Sequence, residues 1–122
     1  MVSRRDSPRL GLAARDCFEA CDRGESTIHV PTICLVEIIY LQEKGRIPVE
    51  MKRLLDEELR SGSAGILLAD LSAEVVEMLS KVPGGDVPDM PDRIIAATAL
   101  HLGLPLISRD RKIRVSVVDT IW

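Results

Sequence analysis

The chain has 122 residues, 46% of them hydrophobic, with one residue each of Phe, Tyr and Trp, so a single domain spanning residues 1–122 with an aliphatic core is expected. The net charge of −3 argues against a binder that depends on a broad Lys/Arg excess, and the few aromatic residues argue against a base-stacking surface. No apolar run reaches the roughly 18 residues that a membrane span requires, so no membrane association is expected.

The first predicted elements are a helix and a strand. Apolar residues recur at helical spacing over residues 8–23, with Ser7 as a plausible N-cap and Gly24 as a stop. The stretch "TIHVP" predicts a short strand over residues 27–30, which Pro31 ends.

A second helix, "ICLVEIIYLQEK", follows; Thr32 is suited to cap it and Gly45 to stop it. A third helix is predicted from about residue 49 to 60. After the turn "SGSAG", the nearly continuous apolar run "ILLADL" is typical of a strand inside a parallel sheet.

Ser72 is predicted to cap the next helix, with Val75, Val76 and Leu79 on its inner face. The loop "VPGGDVP" leads to the helix "PDRIIAATALHL", which Gly103 stops. "LPLIS" and "VSVVDTIW" predict two final strands. Because helices alternate with short apolar strands, the fold class is α/β with a parallel sheet flanked by helices.

The chain contains three cysteines, Cys17, Cys21 and Cys34. The number is odd and no secretory hydrophobic segment is present, so a reducing cytoplasm is expected rather than a disulfide framework. Cys17 and Cys21 have the spacing of half a metal site. The two histidines are isolated, however, so small buried core residues are the better interpretation.

Glu37 lies in "ICLVEIIYL", a helix that is apolar on almost every face, so its side chain is expected to be at least partly buried. A buried carboxylate without a partner is costly. Either its pKa rises or it finds a cation. The alternatives for Glu37 are therefore a metal ion, a salt bridge to an arginine, or a narrow exposed face.

Asp89 and Asp92 open the helix "PDRIIAATALHL". With Asp89 as the N-cap, Asp92 takes the third helical position, where an acid resembles a capping box and suits the helix dipole. The same geometry keeps the Asp92 carboxylate ionised and exposed, as a metal ligand must be. Both interpretations remain open for Asp92 from this stretch alone.

Asp110 directly follows the predicted strand "LPLIS". In parallel α/β sheets ligands bind beyond the carboxyl ends of strands, so Asp110 is either a site residue or an ordinary turn aspartate. A basic cluster surrounds it, formed by Arg109, Arg111, Lys112 and Arg114. This cluster is either a solvated loop or a contact for nucleic acid.

Carboxylates without accompanying His or Cys suit Mg²⁺ or Mn²⁺ rather than zinc. A divalent ion would relieve the repulsion among Glu37, Asp92 and Asp110. It could also activate water for attack on a phosphodiester. Spacing alone does not prove that these three side chains meet.

Three segments in order resemble the PIN-domain nucleases, and in particular the toxins of VapBC-type toxin–antitoxin pairs. They are "VPTICLVEIIYLQEKGRI", "PDMPDRIIAATALHLGLPLISRD" and the closing "VVDTIW". The resemblance implies a parallel sheet flanked by helices, an acidic cluster binding Mg²⁺ or Mn²⁺, and cleavage of RNA by metal-activated water. It also implies an antitoxin partner.

By motif, the resemblance implies that Glu37, Asp92 and Asp110 are the metal-binding and catalytic acids. Asp89 matches a supporting or capping acid, and Ser108 matches a hydroxyl position near the metal. Thr32, at the start of the second helix, is a further supporting residue. RNA contacts are expected at Arg109, Arg111 and Lys112.

Members of this family begin with a strand that carries an Asp-Thr-like motif, and residue 1 falls after it. The resemblance thus implies that the first, central strand is missing, and a homodimer would cover the sheet edges. Two hypotheses follow. One is a metal-dependent ribonuclease toxin; the other is a catalytically impaired PIN-like remnant that binds an antitoxin or RNA.

Overall fold

The computed structural model describes residues 12–61, 65–85, 87–108 and 118–122. Met1–Ala69 and Asp70–Trp122 form two compact units. Helices and a small parallel sheet occur in each, which confirms the predicted α/β class. The single domain over residues 1–122 stays a prediction. Among the described helices, of which the longest have 13 residues, none is long and apolar enough to cross a membrane.

The first unit alternates helices with two parallel strands. Its elements are α1 (Leu12–Asp22), β1 (Ile28–Pro31), α2 (Thr32–Glu43), α3 (Val49–Ser61) and β2 (Ile66–Ala69). Ile28 pairs with Ile66 and Pro31 with Ala69, so the strands run parallel in register. Parallel neighbours need a long crossover connection, and α2 with α3 supplies it.

The core of the first unit is aliphatic, as its composition predicted. Its buried members are Cys21, Ile38, Leu55 and Ile66, with Ile28, Val30, Leu35, Ile47 and Leu59 packed against them. Each described helix and strand of the unit contributes to this cluster. The arrangement anchors the inner face of α2 and leaves the opposite face in solvent.

Thr32 does not cap α2, so that prediction is wrong. Pro31 occupies the N-cap position with φ −61° and ψ 139°, and it has no side-chain hydrogen bond. The Thr32 hydroxyl instead donates to the carbonyl oxygen of Ala69 at 3.2 Å. The strand predicted over residues 27–30 includes Pro31 as its last residue, where the missing N–H is tolerated.

The second unit packs two helices together and adds two short strands. It contains α4 (Ala73–Met78), a 3-10 turn (Leu79–Lys81), α5 (Met90–Leu102), β3 (Leu106–Ile107) and β4 (Thr120–Ile121). The strands are parallel, with Leu106 opposite Thr120. The predicted cap of α4 is confirmed, since the Ser72 side chain accepts from the Val75 N–H at 3.3 Å.

The core of the second unit combines valines with the alanine face of α5. The buried side chains are Val75, Val82, Val87, Ala96, Ala97, Ala99 and Val118. Val75 is 1% exposed, but Val76 is 50% exposed, so the prediction that both face inward is wrong for Val76. Because α4 is only six residues long, its inward face is narrow, and Met78 and Leu79 complete it.

Glycines end α1, α2 and α5 as predicted. Gly24, Gly45 and Gly103 all have positive φ. At Gly103, with φ 66°, its N–H donates to Leu100 and the N–H of Leu104 donates to Ala99, both at 3.1 Å. This is the Schellman arrangement, which requires a left-handed residue. It closes α5 three residues before β3 and so fixes the helix between two defined ends.

Candidate active site

The start of α5 has the cap that the sequence predicted. Asp89 is the N-cap residue, with φ −74° and ψ 123°, and its Oδ2 accepts the backbone N–H of Asp92 at 3.2 Å. Pro91 takes the second helical position, where a missing N–H costs nothing. Asp92 is therefore the third helical residue, and capping is assigned to Asp89.

Asp92 lies in the first turn of α5, where the helix dipole favours a negative charge. Its side chain is partly buried, less open than the exposed position predicted. The helix behind it is anchored by Ala96 and Ala97, both 0% exposed. Asp92 thus belongs to the first turn of a firmly packed helix, which is the kind of support that a precise ligand needs.

Arg93, the residue after Asp92, has a structural role that the sequence analysis did not assign. Its Nε donates to the carbonyl oxygen of Val82 at 3.0 Å, and its Nη2 donates to that of Leu79 at 2.9 Å. A cation in the first turn of a helix opposes the helix dipole. This unfavourable position of a positive charge was the available sequence signal that Arg93 contacts residues outside α5.

Glu37 is partly buried, in agreement with the sequence-based expectation. It lies on α2 between Val36, which is 55% exposed, and Ile38, which is 7% exposed. The carboxylate therefore belongs to the border between the packed and the open face. Thr32, at the start of the same helix, is tied to Ala69 at the end of β2 and supports that junction.

Ser108 directly follows β3, at the carboxyl end of a parallel strand. Its backbone N–H donates to the carbonyl oxygen of Ile121 in β4 at 3.0 Å, and its side chain is partly buried. The hydroxyl is thus held at the edge of a sheet where ligands bind in parallel α/β folds. Asp110, Arg109, Arg111 and Lys112 come next and lie outside the described residues.

The predicted site residues divide between the two units. Glu37 and Thr32 belong to the first unit, and Asp89, Asp92 and Ser108 to the second. Across residues 12–61, 65–85, 87–108 and 118–122, no group of three or more His, Cys, Asp or Glu side chains is placed to hold a metal ion. The third predicted ligand, Asp110, is outside these ranges, so the ligand set stays a prediction.

One carboxylate in the second unit has a clearly shifted pKa. Its own backbone N–H, the Ser72 hydroxyl and, more weakly, the charge of His101 lower the pKa of Glu74 below its ordinary value. Glu74 is in the first turn of α4, and His101 is in the last turn of α5. His101 lies nine positions after Asp92 along α5, a rise of about 13.5 Å, so this effect acts at the other end of the helix.

Comparisons with known proteins agree with these features. A family model described as PIN domain matches residues 9–116, a range that includes residues of both units. The chain is also 32% identical over 111 residues to Ribonuclease VapC22 of Mycobacterium tuberculosis (strain ATCC 25618 / H37Rv). That alignment covers 87% of this chain and 77% of the relative. No solved structure matches the chain.

Proposed function

This chain belongs to the PIN-domain family, and from that premise we propose that it is a VapC-type ribonuclease toxin that uses Mg²⁺ or Mn²⁺. Three observations support the proposal. The family model covers most of the chain, the relative carries the name ribonuclease, and the start of α5 presents an acid in addition to the one that caps the helix.

The assignment of Asp92 as a metal ligand is based on the different roles of Asp89 and Asp92 at the start of α5. A helix needs one side-chain cap, and Asp89 supplies it through the Asp92 N–H. The Asp92 carboxylate is not required for that bond. Its position in the first turn, backed by the buried alanines of α5, suits a ligand that must stay ionised.

The ligands in this proposal are Glu37, Asp92 and Asp110. All three offer carboxylate oxygens, the donors that Mg²⁺ and Mn²⁺ prefer. When bound, a divalent ion supplies an activated water and neutralises charge that develops on the phosphate.

The other site residues have supporting tasks in the proposal. Asp89 holds the first turn of α5, and Thr32 holds the start of α2 against the end of β2. The Ser108 hydroxyl, at the end of β3, contributes a hydrogen bond near the reacting phosphate. Positive side chains after it contact the RNA backbone, since Lys and Arg supply most phosphate contacts. These are Arg109, Arg111 and Lys112.

Protein partners complete the proposal: a cognate antitoxin that restrains the nuclease, and a second copy in a homodimer. The open face of α2 supports such contacts. Val36, Ile39 and Tyr40 follow helical spacing and are 55%, 43% and 57% exposed. Neighbouring exposed apolar side chains of this size favour binding to another protein.

The proposal is tested with purified chain and a mixture of structured and single-stranded RNAs. Cleavage is expected with Mn²⁺ or Mg²⁺, is lost with a chelator and returns when the ion is restored. Glu37→Gln and Asp110→Asn are expected to cut at least about 100-fold more slowly, because outer-sphere changes alone cost 10–100-fold. Glu43→Gln, at the exposed end of α2, is the control and keeps the parent rate.

Two results would contradict the proposal of a metal-dependent ribonuclease with these ligands. The first is cleavage that is equally fast with the chelator, or equally fast in Glu37→Gln and Asp110→Asn. The second is RNA or antitoxin binding without cleavage under any metal condition. That second result would favour the non-enzymatic PIN-like module instead.

A further inference from the structure

The guanidinium of Arg93 joins the first turn of α5 to the end of the preceding helical segment. Among the described residues, it donates two hydrogen bonds to main-chain carbonyls, Val82 at 3.0 Å and Leu79 at 2.9 Å. The Val82 N–H also donates to the Leu79 carbonyl, at 3.1 Å. Arg93 therefore binds carbonyls at the end of the 3-10 turn, and at Leu79 it is a second donor to a carbonyl that already accepts the Val82 N–H.

The charge of Arg93 is compensated by this arrangement. A cation is unfavourable in the first turn of its own helix and favourable at the carboxyl end of another. The Arg93 side chain reaches from α5 to the end of the 3-10 turn. Its positive charge therefore lies at the carboxyl end of another helical segment and not at the amino end of its own helix. The direction of its side chain is thus determined by electrostatics as well as by two hydrogen bonds.

The loop that Arg93 contacts has a buried valine at each end. Val82 and Val87, on either side of the loop, are 0% and 1% exposed, and the Val87 N–H donates to the Pro83 carbonyl at 3.0 Å. A Cβ at Gly84 would lie 3.6 Å from Nη1 of Arg93 and 3.8 Å from Cζ. The guanidinium therefore lies beside the loop backbone at Gly84, and Arg93 is partly buried.

We propose that Arg93 is a positioning residue for Asp92. With its side chain fixed to Leu79 and Val82, Arg93 sets the rotation of the first turn of α5 and so the direction of the neighbouring Asp92 carboxylate. The Asp89 cap restrains the backbone of the same turn but not this rotation against the loop. The inference rests on the proposed function, in which Asp92 is a metal ligand.

The test compares the parent with Arg93→Lys and Arg93→Gln. Lys keeps the charge and Gln keeps a planar donor, but neither can reproduce the two-bond fork of arginine. Arg53→Lys is the control, because Arg53 is exposed on α3 and pairs only with neighbouring acids of that helix, Glu50 and Glu57, among the described residues. Amide hydrogen exchange without metal and Mn²⁺ binding by calorimetry are measured for each protein.

In both Arg93 variants the amides of Asp92 and Arg93 are expected to exchange about 10-fold faster, while those of Ala99 and Leu100 stay unchanged. Mn²⁺ affinity is expected to fall 10–100-fold, as for other residues that orient a ligand. Arg53→Lys changes neither quantity.

Uniformly faster exchange along α5, or unchanged exchange, would overturn the proposal. Faster exchange at the amides of Asp92 and Arg93 alone, with unaltered Mn²⁺ affinity, would also overturn it, since Arg93 would then have a structural role only. If the parent binds no Mn²⁺, the proposed function fails, and the exchange of the Asp92 amide still decides whether Arg93 controls this turn.

Discussion

The backbone N–H of Asp92 donates to Oδ2 of Asp89 at 3.2 Å, so two acids three residues apart have different tasks. One supplies the hydrogen bond that starts α5. Asp92 is a residue of the first turn, and its neighbour Arg93 donates hydrogen bonds to the preceding turn and loop. The difference can be measured because substitution of each acid should affect a different property of the protein.

Removing the Asp89 cap should lower stability. Asp89→Ala is expected to reduce the free energy of unfolding by about 1 kcal/mol, because the first N–H groups of α5 lose an acceptor. Asp89→Asn, which caps about as well, is the matched control and should leave stability nearly unchanged. Urea denaturation of both variants measures this, and equal stability of Asp89→Ala and Asp89→Asn would contradict the cap.

The two neighbouring valines of α4 should differ sharply. Val75→Ala is expected to cost roughly 2 kcal/mol, because it opens a void in the core of the second unit. Val76→Ala, at a side chain that is 50% exposed, should cost less than about 0.5 kcal/mol. Thermal and chemical denaturation of the pair test the assignment. A larger loss for Val76→Ala would mean that α4 is rotated.

The lowered pKa of Glu74 predicts a pH dependence of stability. A folded-state pKa below the ordinary value means that the ionised carboxylate stabilises the fold at pH above the unfolded pKa, and that this contribution disappears as the pH falls through the folded pKa. The stability difference between the parent and Glu74→Gln should therefore be constant near neutral pH and shrink below about pH 4.5.

Nuclear magnetic resonance titration tests the cause of this shift. In Ser72→Ala the Glu74 carboxyl should titrate at a higher pH than in the parent, because one of the groups that stabilise the carboxylate is gone. Glu77→Gln, an exposed change on the same helix, is the control. A Glu74 titration that does not move in Ser72→Ala would contradict the role of the Ser72 hydroxyl.

Helix ends were predictable from the sequence where the signal is local. Ser72 and Asp89 cap the helices they were expected to cap, and the three glycine stops have the positive φ that their positions require. Such features depend on residues within one turn of the chain. The prediction that Thr32 caps α2 was wrong because its hydroxyl donates to the carbonyl of Ala69, 37 residues away. No local sequence pattern contains such a tertiary contact.

The candidate site was predictable only as a set of residue types. The partial burial of Glu37 followed from the apolar surroundings on its helix, and the task of Asp89 followed from cap chemistry. Whether Glu37, Asp92 and Asp110 meet depends on how distant parts of the chain pack, which their spacing does not contain. The partners of Arg93 were missed because they are backbone carbonyls, which no side-chain pattern identifies; the sequence signalled only that a cation in the first turn of α5 opposes the helix dipole.

The most direct test of the central claim compares Asp92→Asn with Asp89→Asn in one metal-dependent RNA cleavage assay. Both substitutions remove one negative charge from the same helix turn, and asparagine keeps the size of each side chain. Asp92→Asn is expected to cut RNA at least about 100-fold more slowly than the parent, whereas Asp89→Asn is expected to stay within a few-fold of it. Equal rates for the two variants, or a greater loss in Asp89→Asn, would contradict the central claim.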